Sequence, residues 1–425
     1  MATVAFFPEG AYGPTNNCVG IGDVLRSRGH RVVFIVEESF AGTLEAQGFE
    51  ERLMRLGPPP ETEEVPGQFW KDFVAENAPV FRRPTIEQIE GFMAPTYQAL
   101  VDGSRYVDER LVEIVDELQP DVVVEDNVVS FPALLTSGRP WVRIVSCNPL
   151  ELPDPSLPPP YSGLASGDPG SWQAFRDEYR RVMSPIQAGF DEFCRSRGAP
   201  ALPELEFTHP SAWLNLYGYP SEVDYTRSRP LGSSWHNVQA SIRGTEGAWE
   251  ADLPDGDGPL VYLSLGSLGS ADVGLMQGLI DALGSSPYRV IVSMGPRSDE
   301  LKLAPNMVGE EFLPQTQVLP LVDVVITHGG NNTVVESLYF AKPMVLLPLF
   351  WDQHDNAQRM DETGYGVRLA TYEHSPDELL GAIEHLRSEV ALRTRLDEVS
   401  RRLHGFDGCA FAASQIEQVA VGAAV

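Results

Sequence analysis

The sequence predicts an α/β protein of two doubly wound domains facing a central cleft. Three observations carry this expectation. Short apolar runs alternate with helical periods, as in a chain of βαβ units. That alternation occurs twice, on either side of a polar stretch. The chain has 425 residues, enough for two domains that each bury a core.

In order along the chain, residues 3–7 read as a buried strand, followed by a Pro/Gly/Asn loop and a helix ending at Arg28. Gly29 suits the left-handed position that closes such a helix. Residues 31–36 form the second strand, and 121–125 and 141–146 read as later strands of the same sheet. The Pro-rich stretch 153–170 is a loop. Residues 232–258 are polar, Gly-rich and acidic with no sustained period, as a linker would be. This divides the chain into a first domain over 1–235, a linker over 236–255 and a second domain over 256–405. In the second half, strands are expected at 260–265, 289–294, 322–327 and 344–347. Helices are expected at 273–283, 332–340, 356–363, 376–386 and 392–403. A last helix is expected over about 410–425.

Composition removes several function classes. Lys and Arg number 31 against 60 Asp and Glu, a formal charge of -29. Such a surface repels phosphodiester backbones and anionic lipid, which argues against nucleic acid or a membrane surface as partner. No apolar run approaches the roughly 18 residues of a membrane span. The start of the chain lacks a basic n-region, so no secretion signal is expected. Cys18, Cys147, Cys194 and Cys409 are scattered, as reduced thiols in a cytoplasmic protein would be.

The segment richest in chemistry runs from Phe312-Leu313-Pro314-Gln315 through His328-Gly329-Gly330-Asn331-Asn332-Thr333 and Glu336 to Asp352-Gln353 and Asn356. A buried strand ends at Thr327 and a helix begins about four residues later. Between them two glycines let backbone N–H groups approach a ligand at the positive end of a helix, which is an anion site. His328, Asn332 and Thr333 are side-chain donors for phosphate oxygens, and Glu336 could accept from a ribose diol. Asp352 and Gln353 follow a separate strand and suit the hydroxyls of a hexose. Phe312 offers a flat face for a nucleobase, and Gly266-Ser267 brings another N–H and hydroxyl. Taken singly, each feature is more often a tight turn or a structural residue; their ordered occurrence points to a site.

The run from Phe312 to Asn356 resembles the donor-binding signature of the UDP-glycosyltransferase family, which includes plant, glucuronosyl and bacterial antibiotic enzymes. Its pattern is an aromatic residue, x-Pro-Gln, then His-x-Gly-x-Asn-Ser/Thr-x-x-Glu, then Asp-Gln-x-x-Asn. The likeness extends to Tyr262-Leu263-Ser264-Leu265-Gly266-Ser267 and to Arg28-Gly29-His30-x-Val32. The resemblance implies a GT-B fold of two Rossmann-like domains, acceptor-binding in the first half and donor-binding in the second. The resemblance, not the residue pattern, also implies that the last helix packs back on the first domain. It implies that Phe312 and Gln315 contact base and ribose, and Glu336 the ribose. Gly266, Ser267, His328, Gly330, Asn332 and Thr333 would surround the diphosphate, and Asp352 and Gln353 the sugar. It further implies inverting transfer without a metal or other cofactor, the intact Asp-Gln pair favouring a hydroxylated donor such as UDP-glucose.

One departure stands out. The family's proton-accepting His lies sixteen residues before the His of Arg-Gly-His, and here that position is Pro14. His30 starts the second strand, at the opposite edge of the sheet from the loop, and reads as structural. Asp126, directly after the strand at 121–125, is the first candidate for a replacement base, with Glu9 and Glu125 weaker. A carboxyl in an apolar cleft can hold its proton to higher pH and so serve. The alternatives are that Asp126 caps a helix, that the acceptor is an acidic phenol, carboxylate or amine needing little deprotonation, or that the protein binds a sugar nucleotide without catalysis. Phe69, Trp70, Phe73, Phe81, Phe92, Met93 and Tyr97 offer an apolar wall for a flat natural-product acceptor, though such side chains more often pack a core. The expected activity is hexosyl transfer from a UDP-sugar to a small hydrophobic acceptor; a UDP-sugar epimerase or hydrolase on the same fold is the other enzymatic reading.

Overall fold

The computed structural model describes residues 1–58, 68–244, 249 and 253–422, without the side chains of 68–72 and 74–75. Its first sheet contains β1 (Thr3–Pro8), β2 (Arg31–Glu37), β3 (Glu50–Met54), β4 (Val122–Asp126), β5 (Trp141–Val145), β6 (Leu214–Tyr217) and β7 (Trp235–Asn237). The second contains β8 (Leu260–Ser264), β9 (Arg289–Ser293), β10 (Met307–Glu310), β11 (Val324–Thr327), β12 (Met344–Leu346) and β13 (Gly366–Arg368). All pairings are parallel, in the orders 3-2-1-4-5-6-7 and 10-9-8-11-12-13. Each order reverses direction once, between β1 and β4 and between β8 and β11. Those are the places where a doubly wound sheet opens a crevice at its strand C-termini.

The alternation of side chains explains the layers. In the first sheet Ala5, Phe7, Val33, Ile35 and Val123 enter one core, while Val4, Phe6, Val32, Phe34, Val122 and Val124 enter the other. Both faces are therefore apolar, as a parallel sheet covered by helices on each side requires. The helices Ala94–Leu118 and Trp172–Ser196 cover the first face. The helix Tyr12–Ser27 covers the second together with Gly408–Ala420, whose Cys409, Ala412, Ala413, Ile416 and Val419 are buried there. Arg28 and His30 both bond to Glu417 of that last helix, at 2.8 and 2.9 Å, and His30 also accepts from the Ala2 N–H. His30 is thus a structural residue.

Gly408 sits where the last helix crosses the segment joining the two sheets. A Cβ there would lie 2.0 Å from the Ala240 carbonyl oxygen and 2.3 Å from that of Val238. Gly408→Ala should therefore destabilise the chain by about 1–3 kcal/mol through backbone displacement. Urea denaturation reads this, and an unchanged midpoint would show that the crossing is looser than described.

Two expectations need correction. The Pro/Gly/Asn segment after the first strand is mostly helix, which starts at Tyr12. Pro14 fits its first turn, where a missing N–H costs nothing, and Cys18 and Val19 fix the rest by burial. The linker does not begin at 236 either: Trp235–Asn237 is β7, the edge strand of the first sheet, and Val238 and Ala240 are buried. Residues 245–248 and 250–252 of the expected linker lie outside the described residues. The four cysteines are free thiols, three of them buried. Among the described residues no helix is long and apolar enough to cross a membrane.

Candidate functional site

At the reversal of the second sheet, β8 ends into Leu265-Gly266-Ser267 and β11 into His328-Gly329-Gly330. The His328 imidazole lies between two glycines. A Cβ on Gly266 would come 2.7 Å from its Cε1, and one on Gly330 would come 2.6 Å from its Nε2. Burial pulls the His328 pKa down to about 4, so the ring is neutral at physiological pH. The helix Asn331–Tyr339 starts immediately after, and its N-cap Gly330 supplies no side-chain cap. Its first N–H groups are consequently available to an anion. Ser267 stands half-buried on the facing loop.

Beside this turn, Gln315 Nε2 donates to Glu336 Oε2 at 2.6 Å and to Thr333 Oγ1 at 3.2 Å. Glu336 is 2% exposed, and its other oxygen accepts from Arg243 Nη1 at 2.5 Å. Each carboxylate oxygen carries two lone pairs and can accept from more than one donor. Phe312 is exposed at the rim, its ring 6.1 Å from that of Tyr12 in the first half.

Other expected site residues are already engaged, Asn332 and Asp352 across the cleft and Gln353 within its own half. Asn332 accepts from Asn17 Nδ2 at 3.0 Å and donates to the Gly13 carbonyl at 2.9 Å. Asp352 accepts from the Asn148 N–H at 2.8 Å and from Asn356 Nδ2 at 3.2 Å. Gln353 turns its carbonyl oxygen to the Leu349 and Phe350 N–H groups, at 3.0 and 3.3 Å. Only its amide donors face elsewhere. The preceding loop is held by stacking: Phe350 on Phe81 at 4.8 Å and Trp351 on Tyr97 at 5.1 Å. Trp351 has a φ of 58°, a left-handed backbone that a bulky residue adopts only where its surroundings enforce it. Of the expected acceptor wall, Phe81, Phe92, Met93 and Tyr97 are buried core and Phe73 packs on it. The side chains of Phe69 and Trp70 lie outside the described residues.

In the first sheet, the reversal places Pro8 beside Asp126 in register. Asp126 is 3% exposed and accepts from Ser146 Oγ, which in turn accepts from Asn17 Nδ2 at 2.7 Å. Asp126 therefore does not cap a helix. Beyond Val128, two residues along the chain, a cavity of about 230 Å³ opens, walled by Tyr97, Tyr161, Tyr179, Phe175 and Phe207 together with prolines and Glu151. Glu151 is paired with Arg143 at 2.8 Å. Asn17, Ser146, Asn148, Arg243 and Glu151 carry no motif in the sequence; only their spatial partners reveal them.

Burial penalises charge throughout this region. Glu9, Asp126 and Asp352 are pushed up to about 7, and Glu125 and Asp355 to about 8, with burial the largest cause in each. A carboxyl that keeps its proton only when folded favours folding below about pH 4, and that contribution is lost as pH rises through the folded value. His328 and His354, the latter pulled down to about 3 by burial, act in the opposite sense, but only below about pH 6.5. The unfolding midpoint of the unliganded chain should therefore fall between about pH 6.5 and 8. A flat or rising midpoint in calorimetry would contradict these environments.

Residues 239–404 match the family described as UDP-glucoronosyl and UDP-glucosyl transferase. A demethyllactenocin mycarosyltransferase of Streptomyces fradiae is 25% identical over 98% of this chain and 86% of its own length. Among solved structures, the glycotransferase of kitacinnamycin superposes with a TM-score of 0.72 at 20% identity, covering 98% of each chain. Glycosyltransferase VinC, in complex with dTDP, gives 0.66 at 17%, covering 99% of this chain and 100% of that one. Two parallel sheets with facing crevices and these likenesses define a glycosyltransferase of the GT-B fold. Over residues 239–404 the chain is similar to the UDP-glycosyltransferase family.

Proposed function

We propose that the protein transfers a hexose from a UDP-sugar, UDP-glucose above all, to a small hydrophobic natural-product-like acceptor, inverting the anomeric carbon without a metal ion. One observation carries the reading: a neutral imidazole, His328, held between Gly266 and Gly330 beside an uncapped helix N-terminus. The imidazole N–H, the helix N–H groups, Ser267 and Thr333 would stabilise the negative charge that grows on the departing diphosphate. Gln315 and Glu336 would hold the ribose, with Phe312 against the base. Asp352 and the Gln353 amide would meet the sugar. The acceptor would occupy the aromatic cavity, its proton drawn off by the carboxyl groups gathered around Asp126, where the first sheet reverses. Its oxygen then bonds to the anomeric carbon as the bond to UDP breaks, a single displacement that inverts. The free, scattered thiols suit a cytoplasmic setting. VinC was crystallised with dTDP, so the base is the point that most needs a direct comparison.

Mass-spectrometric screening of acceptors with UDP-glucose, with UDP and dTDP titrated calorimetrically, tests this. Turnover without acceptor would favour an epimerase or hydrolase, and binding without transfer to any acceptor a non-catalytic partner. Gln353→Ala should lower transfer by about tenfold to a hundredfold, the value of one to two hydrogen bonds to a polar substrate. Its affinity for UDP should stay within about twofold, because UDP carries no sugar to hold. Equal losses in both would remove Gln353 from the sugar subsite.

A further inference from the structure

We propose that Glu9 and Asp126 act as one acid–base pair, with Glu9 the group that takes the acceptor's proton and Asp126 its positioning partner. This rests on the glycosyltransferase reading above and names the residue that stands in for the imidazole absent at Pro14.

The backbone sets the pair. Glu9 directly follows β1, at the reversal point of the first sheet, and its N–H donates to the Asp126 carbonyl at 2.9 Å. The two carboxyls thus project from neighbouring strand ends. Asp126 is enclosed: it is 3% exposed, and one of its carboxylate oxygens is taken by Ser146, which is itself held by Asn17. Glu9 is placed differently. Its carboxyl accepts from the Val128 backbone N–H, and Val128 lines the aromatic cavity. Among the described residues no side chain is hydrogen-bonded to that carboxyl, and Thr15 Oγ1 reaches only the Glu9 backbone carbonyl. The Glu9 carboxyl is thus one hydrogen bond away from a residue that lines the cavity.

The groups that face the pair are Glu151, which is bonded to Arg143, the buried Glu125 beside Asp126, and the thiols of Cys147 and Cys18. Asp126 and Glu151 both raise the proton affinity of Glu9, after burial, which is the largest cause. Two carboxyls on neighbouring strand ends, both penalised by burial, lose their protons one after the other rather than together. The one that is ionised then accepts the next. The acceptor's O–H bond breaks, its proton goes to Glu9, its oxygen bonds to the anomeric carbon, and UDP leaves with the electron pair of the broken bond. Glu9 returns the proton to water after product release.

The test has two readouts on the full chain. In protein labelled with carbon-13 at glutamate side-chain carboxyls, with Glu9 assigned by its loss in Glu9→Gln, the Glu9 midpoint should fall in Asp126→Asn. With UDP-glucose and the acceptors found by the screen, Glu9→Gln should lose about a hundredfold or more on alcohols. It should lose far less on acidic phenols, and Glu9→Asp should recover part of the alcohol rate. A Glu9 midpoint unmoved by Asp126→Asn overturns the pair, and alcohol transfer at the wild-type rate in Glu9→Gln overturns the role of Glu9. Absence of UDP binding in the wild type would strike the donor reading instead, which the titration does not depend on.

Discussion

Asp126→Asn is expected to cut transfer to alcohol acceptors by about 10²–10⁴-fold and to leave affinity for UDP within about twofold. The substitution keeps the shape of the side chain and a partner for Ser146 Oγ, so the Ser146–Asn17 link to Asn332 should survive. What it removes is a carboxyl that burial holds near neutrality and that raises the proton affinity of Glu9 beside it. A weaker base slows only the acceptors that must lose a proton during attack. Phenols already ionised at the assay pH should therefore be spared, and the pH dependence of the alcohol rate should shift with the variant. Initial rates across an acceptor series, with UDP titrated in parallel, check this; full alcohol transfer in Asp126→Asn would remove the carboxyl from the reaction.

The donor side was legible because its logic is local. The strand before His328, the glycines after it and the helix that follows are contiguous, and backbone geometry alone brings their donors to one point. Gln315, Thr333 and Glu336 were identified by the family pattern, and the structure does bring them into one hydrogen-bonded group. The opposite half resisted for equally physical reasons. Segment 12–17 has the composition of a loop, yet burial of Cys18 and Val19 draws it into a helix. β3 has the sequence Glu-Glu-Arg-Leu-Met and β7 only Trp-His-Asn, so neither shows an apolar run. In β3 the carboxylate of Glu51 is buried to accept from the Gly42, Leu44 and Glu45 N–H groups, a role set by the turn it closes. Contacts between Asp352 and Asn148, or Asn17 and Asn332, depend on how the two sheets face each other, and no spacing along the chain encodes that.

Glu336→Ala should have two separable effects, each large. The side chain is 2% exposed and takes bonds from Arg243 Nη1 and Gln315 Nε2. Removing one partner of a buried ion pair costs about 3–5 kcal/mol of stability. If the carboxylate also accepts from a ribose diol, affinity for UDP should drop by about 1.5–3 kcal/mol, roughly tenfold to a hundredfold. Glu336→Gln separates the two. It preserves the volume and an oxygen for Arg243 or Gln315, so part of the stability should return, while the charge-assisted bond to the ribose does not. Urea unfolding and calorimetric titration with UDP on all three proteins give the comparison. An affinity that recovers in step with stability would make Glu336 a structural anchor for Arg243; an affinity that stays low in a stable Glu336→Gln protein would place its carboxylate against the nucleotide.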